Sequence, residues 1–195
     1  MPNMKDTIKK ISINLFYKKG YFATSISELA NAAGIQKSSI YYHYSNKEEI
    51  LFDIFKTTMI DLDTNLEKNL NGLKSADKRM RAAVHAHIMF HIERQKEVII
   101  SDSELRGLAV NNYKTITRMR DDYERKFQEL IKSGIKEGTF IDTDAKIISY
   151  GIITMCTAVS LWFRPRGRLT KKEIAKIYTD FIMNGLRRKN CEVGL

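Results

Sequence analysis

The sequence predicts an all-α protein, and three observations lead to that prediction. The chain has 195 residues, of which 43% are hydrophobic and 29% charged, so it is too apolar for a disordered chain and long enough to bury a core. Only two prolines and ten glycines interrupt it, which favours long helices over many short strands. Apolar residues also recur at helical spacing along most of the chain.

The first predicted helix is amphipathic and ends at a glycine. Its apolar face consists of Ile8, Ile11, Leu15 and Phe16. Gly20 follows, at the position where a left-handed cap is expected. These residues predict one helix before residue 20.

A capping box predicts the second helix. In the stretch TSISELANAAG, Ser25 and Glu28 have the S-x-x-E spacing, and an apolar stripe follows before Gly34. The members of that stripe are Ile26, Leu29, Ala30 and Ala33. The spacing fits a helix of about two to three turns.

The residues after Gly34 predict a tight turn and a third helix with a polar and aromatic surface. Gly34 tolerates the backbone of such a turn, and Ser38 to Tyr44 form a short helix whose Ile40 faces the second helix. The outward side chains are Lys37, Ser38, Ser39, Tyr41, Tyr42 and His43. Two short helices with these donors have the dimensions to enter the major groove of DNA.

The fourth predicted helix joins two domains. It runs from about Asn46 to Leu70, and Ser45 or Asn46 serves as its N-cap because a glutamate follows three residues later. We place the domain boundary inside this helix. The resulting domains are a three-helix domain with a helix-turn-helix, residues 1–48, and a larger helical domain, residues 49–195.

The remaining helices are predicted from their apolar periodicity. They run from about Met80 to Ile92, from Asn111 to Lys136, from a cap at Asp142 or Thr143 to Phe163, and from Lys171 to Arg187. The last of them is expected to place one set of apolar residues on one side: Ile174, Ile177, Tyr178, Phe181 and Ile182.

The apolar stretch Ile147 to Phe163 raises the question of a membrane segment. It has 17 residues, fewer than the roughly 20 needed to span a bilayer, and it contains serines and threonines. Its small residues, Gly151 and Ala158, suit close packing against another helix. We therefore expect it to lie between the core and a partner subunit, without a membrane.

Several classes of protein are disfavoured by what the sequence contains. Cys156 and Cys191 form neither a disulfide framework nor metal-ligand spacing, and residues 1–10 lack the apolar core of a secretion signal. A cytoplasmic protein is the expectation. The sequence has no G-x-S-x-G, no P-loop and no dinucleotide-binding glycines, so we predict no enzyme, no catalytic residues and no cofactor.

An ordered set of residues runs through about the first 55 positions. It comprises Phe16, Gly20, Phe22, Thr24, the run Leu29 to Ile35, Lys37 and the string SIYYHYSNKEEI. Together these residues resemble the DNA-binding module of the TetR family of bacterial transcriptional regulators. This sequence differs from the family at Gln36, Ser38 and Tyr44, where serine, glycine and phenylalanine are frequent.

The resemblance implies roles for ten DNA-binding residues. It places Ser25 and Ser27 near the DNA backbone, and Lys47 on a phosphate at a helix N-terminus. The residues implied to read bases are Gln36, Lys37, Ser38 and Ser39, and those implied to touch phosphates or thymine methyls are Tyr41, Tyr42 and His43. Packing is the alternative role for Tyr41, and the favoured role for Tyr44.

The resemblance also implies partners and a switch. Family members bind double-stranded operator DNA as homodimers that pair through their last two helices, and a twofold dimer reads two half-sites of a palindrome. The two recognition helices are then expected about 34 to 36 Å apart, or a multiple of it. An effector that binds the larger domain is expected to tilt the fourth helix and change that separation.

Adaptable and aromatic side chains of the larger domain are candidates for the effector site. We name His87, Phe90, His91, Tyr113, Met119, Tyr123, Met155, Trp162, Phe163 and Arg164. A place in the core is the alternative role for each of them, and it is the favoured role for most. A small hydrophobic effector suits this composition.

The segment LWFRPRGRLT bears on the class of effector. Its W-aromatic-x-P-x-G-x-L pattern resembles a segment of TetR-family regulators of fatty-acid and sterol degradation, whose effectors are acyl-coenzyme A thioesters. It lies in a basic stretch, residues 164–189, with nine cations and two acids. Arg164, Arg166 and Arg168 could pair with coenzyme A phosphates.

We interpret the chain as a ligand-responsive repressor released by such an effector. One alternative is a sensor of drugs or other hydrophobic compounds that controls an efflux gene. A metal-responsive variant is the other, because His87 and His91 lie one helical turn apart and could share an ion, with His85 nearly opposite. A clear third ligand is missing from the sequence, and we therefore predict no metal site.

Overall fold

The structure is a computed structural model, and it describes residues 3–188. The first half consists of helices α1 (Met4–Lys19), α2 (Ile26–Ala33), α3 (Lys37–His43), α4 (Lys47–Leu70) and α5 (Ala76–Glu93). The second half consists of α6 (Gln95–Ser103), a 3-10 turn (Leu105–Gly107), α7 (Val110–Lys136), α8 (Ala145–Thr157), α9 (Val159–Trp162) and α10 (Lys171–Leu186). The predicted all-α fold is confirmed. Lys189 and Cys191, which entered the sequence argument, lie outside the described residues.

The described chain divides into two compact units. The first unit contains the residues up to Asp61 together with Arg94–Arg120. The second contains Leu62–Glu93 together with the residues from Asp121 onward. Helices α4 and α7 each contribute residues to both units. The boundary at residue 48 concerns the DNA-binding segment alone and stays a prediction.

The first unit has its own hydrophobic core beneath the short helices. Phe16 of α1, Ile40 of α3, and Leu51 and Phe55 of α4 are all fully or almost fully buried in one cluster. Helix α6 packs against α1 in the same unit. Burial of large apolar side chains at about 25 cal/mol per Å² is the main term that holds such short helices in place.

Local signals account for the helix-turn-helix. Ser25 and Glu28 form the predicted capping box at the start of α2. Gly34 ends α2 in the left-handed conformation, with φ 66° and ψ 31°, which an L side chain rarely adopts. At the start of α4, Asn46 Oδ1 accepts the Glu49 N–H at 2.9 Å, which selects Asn46 from the two predicted caps.

In the second unit, α5 is the central helix. It packs against α8, α9 and α10, and its buried residues extend from Ala76 to Ile92. An isolated antiparallel bridge joins Phe140 to Arg187 at the ends of α7 and α10. This bridge holds the end of α10 against the α7–α8 turn.

The structure differs from the predicted helices in three main respects. Helix α6 was not expected, because its segment is rich in charge and its N-cap, Arg94, makes no side-chain capping bond. The apolar stretch that the sequence treats as one helix is interrupted at Ala158, which separates α8 from α9. The cap of α8 is Asp144, whose carboxylate accepts two backbone N–H groups, and not Asp142 or Thr143.

The apolar residues of α10 do not all share one side. Ile174 and Ile182 are buried, whereas Ile177 and Phe181 are exposed. On the preceding helices the exposed large apolar residues are Ile147, Tyr150, Leu161 and Trp162. The last helices of the second unit therefore present apolar side chains to the outside of the single chain.

One helical stretch, Ala145–Trp162, is long and apolar enough by composition to cross a membrane. One third of it is buried within the chain, and core helices of soluble proteins meet the same criterion. Taken alone, the stretch is weak evidence for a membrane segment.

Candidate nucleic-acid interface and effector region

Helices α2 and α3 enclose a turn that fixes the buried side of α3. The Ile35 N–H donates to the Ala30 carbonyl at 3.0 Å, which closes the end of α2 after Gly34. Ile40 is fully buried and anchors α3 in the core of the first unit. The opposite side of α3 is thereby left to solvent.

The solvent side of α3 carries the residues predicted to meet DNA. Tyr42 is 86% exposed and Tyr41 is 52% exposed. Tyr42 contacts His43 edge to face, with ring centroids 5.0 Å apart. Of the others, Gln36, Lys37 and Ser38 are exposed, whereas Ser39 and His43 are half-buried. Because about half of the Tyr41 side chain is exposed, packing alone does not account for this residue. The reading of bases by this surface stays a prediction.

The two serines of α2 have different surroundings. The Ser25 hydroxyl accepts the Glu28 N–H at 3.2 Å and donates to the Glu28 carboxylate at 3.1 Å. Hydrogen bonds from Lys19 and then from Ser25 lower the pKa of Glu28 to about 2. Ser25 therefore has a structural role in starting α2. Ser27 is half-buried in the first turn of that helix.

Tyr44 is a core residue, as the sequence favoured. Its side chain is 1% exposed, and its hydroxyl donates to Asp53 at 2.7 Å. Lys9 completes the group, with its ammonium 3.1 Å from the same carboxylate. Burial opposes ionisation of Asp53, but the hydrogen bonds from Tyr44 and Lys9 outweigh it and lower the pKa of that carboxyl. A tyrosine therefore stands where phenylalanine is frequent in the TetR family, and its hydroxyl has a half-buried carboxylate as its partner.

Lys47 makes contacts within the protein. Its ammonium donates to the carbonyls of Tyr21 at 2.9 Å and of Thr24 at 2.7 Å, and lies 4.3 Å from the Tyr21 ring centroid. Desolvation lowers the pKa of Lys47 below its usual value. The ammonium therefore ties α4 to the loop between α1 and α2. A phosphate contact, which the resemblance implies, would have to use its third N–H.

A buried polar cluster lies in the second unit and joins three of the residues predicted to bind an effector. His87 and His91 stack with ring centroids 3.9 Å apart. His87 Nδ1 lies 2.9 Å from the Tyr123 hydroxyl, and His87 Nε2 lies 3.1 Å from the Thr157 hydroxyl. We call His87, His91, Tyr123 and Thr157 the histidine cluster.

The hydrogen positions in the histidine cluster follow from one fixed acceptor. His91 Nδ1 lies 2.7 Å from the His87 carbonyl, which can only accept, so this nitrogen carries a hydrogen. The neutral ring then accepts at Nε2, from the Thr157 hydroxyl at 3.4 Å. Thr157 in turn accepts from His87 Nε2, and His87 Nδ1 accepts from Tyr123. Every ring nitrogen has a partner while both rings are neutral.

Burial keeps both histidines neutral. Desolvation, and secondarily the neighbouring His91, lowers the pKa of His87 well below its usual value. Desolvation lowers the pKa of His91 to about 4. Among the described residues, no group of three or more His, Cys, Asp or Glu side chains could hold a metal ion.

The other predicted effector residues are distributed over both units. Tyr113 and Met119 lie in the first unit, where Met119 packs against the core and Tyr113 is exposed, so neither joins the histidine cluster. In the second unit the remaining candidates differ in burial: Phe90 and Phe163 are buried, Met155 is half-buried, and Trp162 and Arg164 are exposed. Sequence spacing grouped them because most recur at helical intervals, but spacing does not show which helix faces pack against each other.

Two residues of this region were not predicted from the sequence. Thr157 bridges both histidines, and the Phe127 ring contacts His87 edge to face at 5.9 Å. Phe127 follows Tyr123 by one helical turn, a signal that was available. Thr157 is one of several hydroxyl residues in an apolar stretch, and the sequence gives no means of selecting it.

The predicted arginine segment forms a tight turn. The Gly167 N–H donates to the Arg164 carbonyl at 2.9 Å, with Pro165 at the second position of the turn. Phe163 is buried immediately before it, and Arg164, Arg166 and Arg168 are all exposed after it. Other cations of the basic stretch are ion-paired: Lys171 with Glu93, Lys176 with Asp180, and Arg187 with Asp77.

Two family models match the chain. One, described as bacterial regulatory proteins of the tetR family, matches residues 10–54, and the other, a tetracyclin repressor-like C-terminal domain, matches residues 73–186. The chain belongs to the TetR family. This TetR-family protein is accordingly a transcriptional regulator and not an enzyme, as its sequence predicts.

Relatives of this TetR-family regulator cover nearly its whole length. The HTH-type transcriptional repressor KstR2 of Rhodococcus jostii (strain RHA1) is 26% identical over 183 residues, which cover 90% of this chain and 87% of KstR2. A tetR-family regulatory protein from Rhodococcus RHA1 shares the fold, with a TM-score of 0.90 at 22% identity over 97% of this chain and 100% of its own.

A third relative was solved with ligands. The crystal structure of AibR in complex with isovaleryl coenzyme A and operator DNA matches with a TM-score of 0.85 at 25% identity. The match covers 92% of this TetR-family chain and 97% of AibR.

Proposed function

We propose that this TetR-family protein is a cytoplasmic repressor that binds a palindromic operator as a homodimer and is released by an acyl-coenzyme A. The main support for this class of effector is the turn formed by residues 164–167. In this turn Arg164 and Arg166 are exposed, and they follow directly after the buried Phe163. Guanidinium groups bind phosphates bidentately, and an acyl chain needs an apolar interior. The turn thus places phosphate-binding guanidinium groups within a few residues of a buried apolar side chain.

The relatives support the same class. KstR2 is named a transcriptional repressor, a Bacillus subtilis relative is named a fatty acid metabolism regulator, and AibR was solved with isovaleryl coenzyme A and operator DNA. In this chain we assign the phosphate contacts to Arg164, Arg166 and Arg168. We assign the lining of the acyl site to Phe90, Met155 and Phe163, with the histidine cluster as its polar part.

The dimer is proposed to form through the last helices. Exposed apolar side chains on these helices would be covered by their copies in a partner: Ile147, Tyr150, Leu161, Trp162, Ile177 and Phe181. Large exposed apolar patches on a soluble chain mark an interaction surface. The twofold symmetry then pairs two α3 helices on two half-sites.

Calorimetric titration with isovaleryl-, octanoyl- and palmitoyl-coenzyme A tests the effector. We expect at least one to bind at micromolar concentration and to displace a duplex that the protein has selected from a random library. Separate titrations with free coenzyme A and with the free fatty acid measure how much each half of the ligand contributes to binding. Arg164→Ala with Arg166→Ala should weaken binding, whereas Arg125→Ala, an exposed arginine ion-paired with Asp122, should not.

Two results would reject acyl-coenzyme A as the effector. One is the absence of binding by all three thioesters. The other is equal binding of the free fatty acid and its thioester, which would leave the arginine turn without a role and favour a sensor of hydrophobic compounds.

A further inference from the structure

The first turn of α4 makes two contacts that lead to different parts of the first unit. The Lys47 ammonium reaches back to the loop between α1 and α2. The next residue, Glu48, contacts residues more than sixty positions later in the sequence. Its carboxylate accepts hydrogen bonds from the Ala109 N–H at 2.9 Å and from the Asn112 side-chain amide at 3.0 and 3.2 Å. Adjacent residues thus connect α4 to α2 on one side and to α7 on the other.

The Glu48 carboxylate lies at the start of α7, where the preceding residue offers no side-chain acceptor. The residue before Val110 is Ala109, whose methyl group cannot accept a hydrogen bond. The first N–H groups of a helix have no partner inside the helix, and its positive end favours an anion. Glu48 provides both the acceptor and the charge from a different helix.

Packing reinforces the same junction at Gly107. A Cβ atom on Gly107 would lie 2.8 Å from two carbons of the Tyr21 ring and 2.9 Å from a methyl of Leu51, closer than carbon atoms approach. The Tyr21 ring is also the one beneath the Lys47 ammonium. The 3-10 turn before α7 therefore lies directly on the loop before α2 and on α4.

This junction belongs to the unit that contains the helix-turn-helix. The first unit includes residues 94–120 as well as the residues up to 61, so the start of α7 is part of the same compact body as α3. Helix α7 then continues without interruption to Lys136 in the second unit. It is one of the chain segments through which the second unit is covalently attached to the body that carries α3.

We propose that Glu48 and Asn112 are positioning residues for operator recognition. Their hydrogen bonds lock the start of α7 to α4, so that α3 is held in the one orientation that distinguishes operator from other DNA. Neither residue needs to touch DNA for this role. The proposal rests on the DNA binding of the family and does not depend on the effector class.

The test compares two neighbouring asparagines. Asn112→Ala removes one partner of Glu48, and Asn111→Ala removes an exposed amide one residue earlier without affecting that contact. Neither substitution changes the charge, so nonspecific attraction to phosphates stays constant. Affinity is measured by fluorescence anisotropy, at a temperature where circular dichroism shows each full-length variant to be folded. The two probes are a duplex selected by the wild-type protein and a scrambled duplex of equal length.

We expect Asn112→Ala to lose operator affinity by roughly threefold to tenfold, with unchanged affinity for the scrambled duplex. Asn112→Asp places a second carboxylate against Glu48 and should lose more of the ratio of operator to scrambled affinity, a ratio in which the effect of the added charge on nonspecific attraction cancels. Adding Glu48→Gln to Asn112→Asp restores a donor–acceptor pair and should recover most of the loss. Asn111→Ala should match the wild type in both assays.

A merely structural role would leave the ratio of the two affinities as in the wild type, because the folded fraction affects binding to both duplexes equally. Equal losses on the two duplexes would therefore overturn the proposal. So would wild-type discrimination in Asn112→Asp, or the absence of recovery in the double variant.

Discussion

Lys37 and Lys47 carry the same charge at the first positions of two successive helices, yet their surroundings differ. Lys37 is exposed at the start of α3. The Lys47 ammonium is half-buried and donates to two carbonyls. Substitution of the first should therefore change DNA binding alone, whereas substitution of the second should also change stability.

For Lys37→Ala we expect the slope of log affinity against log salt concentration to become smaller in magnitude by about one unit. We also expect a weaker preference for operator over scrambled DNA. Lys37 carries one charge that would release a counterion from DNA, and it lies at the start of the helix predicted to read bases. Titrations at several salt concentrations measure both effects. Lys68→Ala removes an equal charge from an exposed position of the second unit, and it should leave the slope as in the wild type.

Lys47→Ala should lower the free energy of unfolding by about 1 to 2 kcal/mol, because the carbonyls of Tyr21 and Thr24 lose a charged donor. Urea denaturation measures this change. The salt slope of DNA binding measures the phosphate contact separately: the sequence predicts that it falls by about one unit. An unchanged unfolding free energy would contradict the role seen at the α1–α2 loop.

The histidine cluster should make stability depend on pH. Since the pKa of both folded histidines is lowered, the unfolded chain binds more protons below its histidine pKa of about 6.5. The stabilisation is complete above that value and is lost as the pH falls towards about 4, the pKa of His91. Each histidine contributes a slope of about 1.4 kcal/mol per pH unit within that window.

Urea unfolding at pH 7.5 and pH 5 tests this dependence. The double substitution His87→Gln with His91→Gln should reduce the difference between the two pH values, even if it lowers stability at both. His85→Gln, on the exposed side of the same helix, should retain the wild-type difference. A wild-type difference in the double variant would show that the cluster does not cause the pH dependence.

At the residue level, local contacts could be predicted and distant ones could not. The Ser25–Glu28 box and the turn at Gly34 depend on neighbours within a few positions, so the sequence predicts them. The left-handed cap expected at Gly20 is wrong, because Gly20 has φ 86° and ψ 154°, outside the left-handed helical region. The bonds of Lys47 to Tyr21 and of Glu48 to Ala109 join residues far apart in the chain. The type of a residue shows which kinds of contact it can make, but the fold determines which partner it contacts.

At the scale of helices, existence was easier to predict than boundaries. Helix α7 follows from its strong amphipathic pattern, and its observed start at Val110 lies within a residue of the prediction. Helix α6 was not predicted because its short segment has no apolar stripe at helical spacing. In the structure it is stabilised by packing against α1. Tertiary burial overrides weak local preference in such segments.

Gly134 shows how closely α7 packs against the turn that follows it. A Cβ atom there would lie 2.0 Å from a ring carbon of Phe140, which is fully buried. We expect Gly134→Ala to lower the unfolding free energy by about 3 kcal/mol, because the ring has no space to withdraw. Thermal and urea denaturation measure the loss.

Gly185→Ala is the matched control for this substitution. It lies in helix α10, where an added Cβ atom meets nothing within 4 Å of the single chain. Because Gly185 follows Phe181 by one helical turn, on the face proposed to meet the partner, both alanines are compared in the Phe181→Glu background, which is expected to be monomeric. Alanine should therefore raise the unfolding free energy by up to about 1 kcal/mol through helix propensity. Equal effects of the two alanines would contradict the packing argument at Phe140.

At the scale of the whole molecule, the exposed apolar side chains of the last helices form the proposed dimer interface. We expect Phe181→Glu and Ile147→Glu to convert the dimer to monomers, because a carboxylate would be buried without a counter-charge in the interface. Sedimentation velocity measures the change. Ile60→Glu, an exposed apolar residue of the first unit, should remain dimeric, and a dimeric Phe181→Glu would place the interface elsewhere.

The most direct test of operator recognition by the α2–α3 segment is a footprint of the full-length protein on a duplex selected from a random library. We expect two chains per duplex and two symmetric protected half-sites, with centres about one helical turn apart or a multiple of it. Lys37→Ala should weaken both half-sites together. A single protected site bound by one chain, or the selection of no duplex even at low salt, would contradict the assignment.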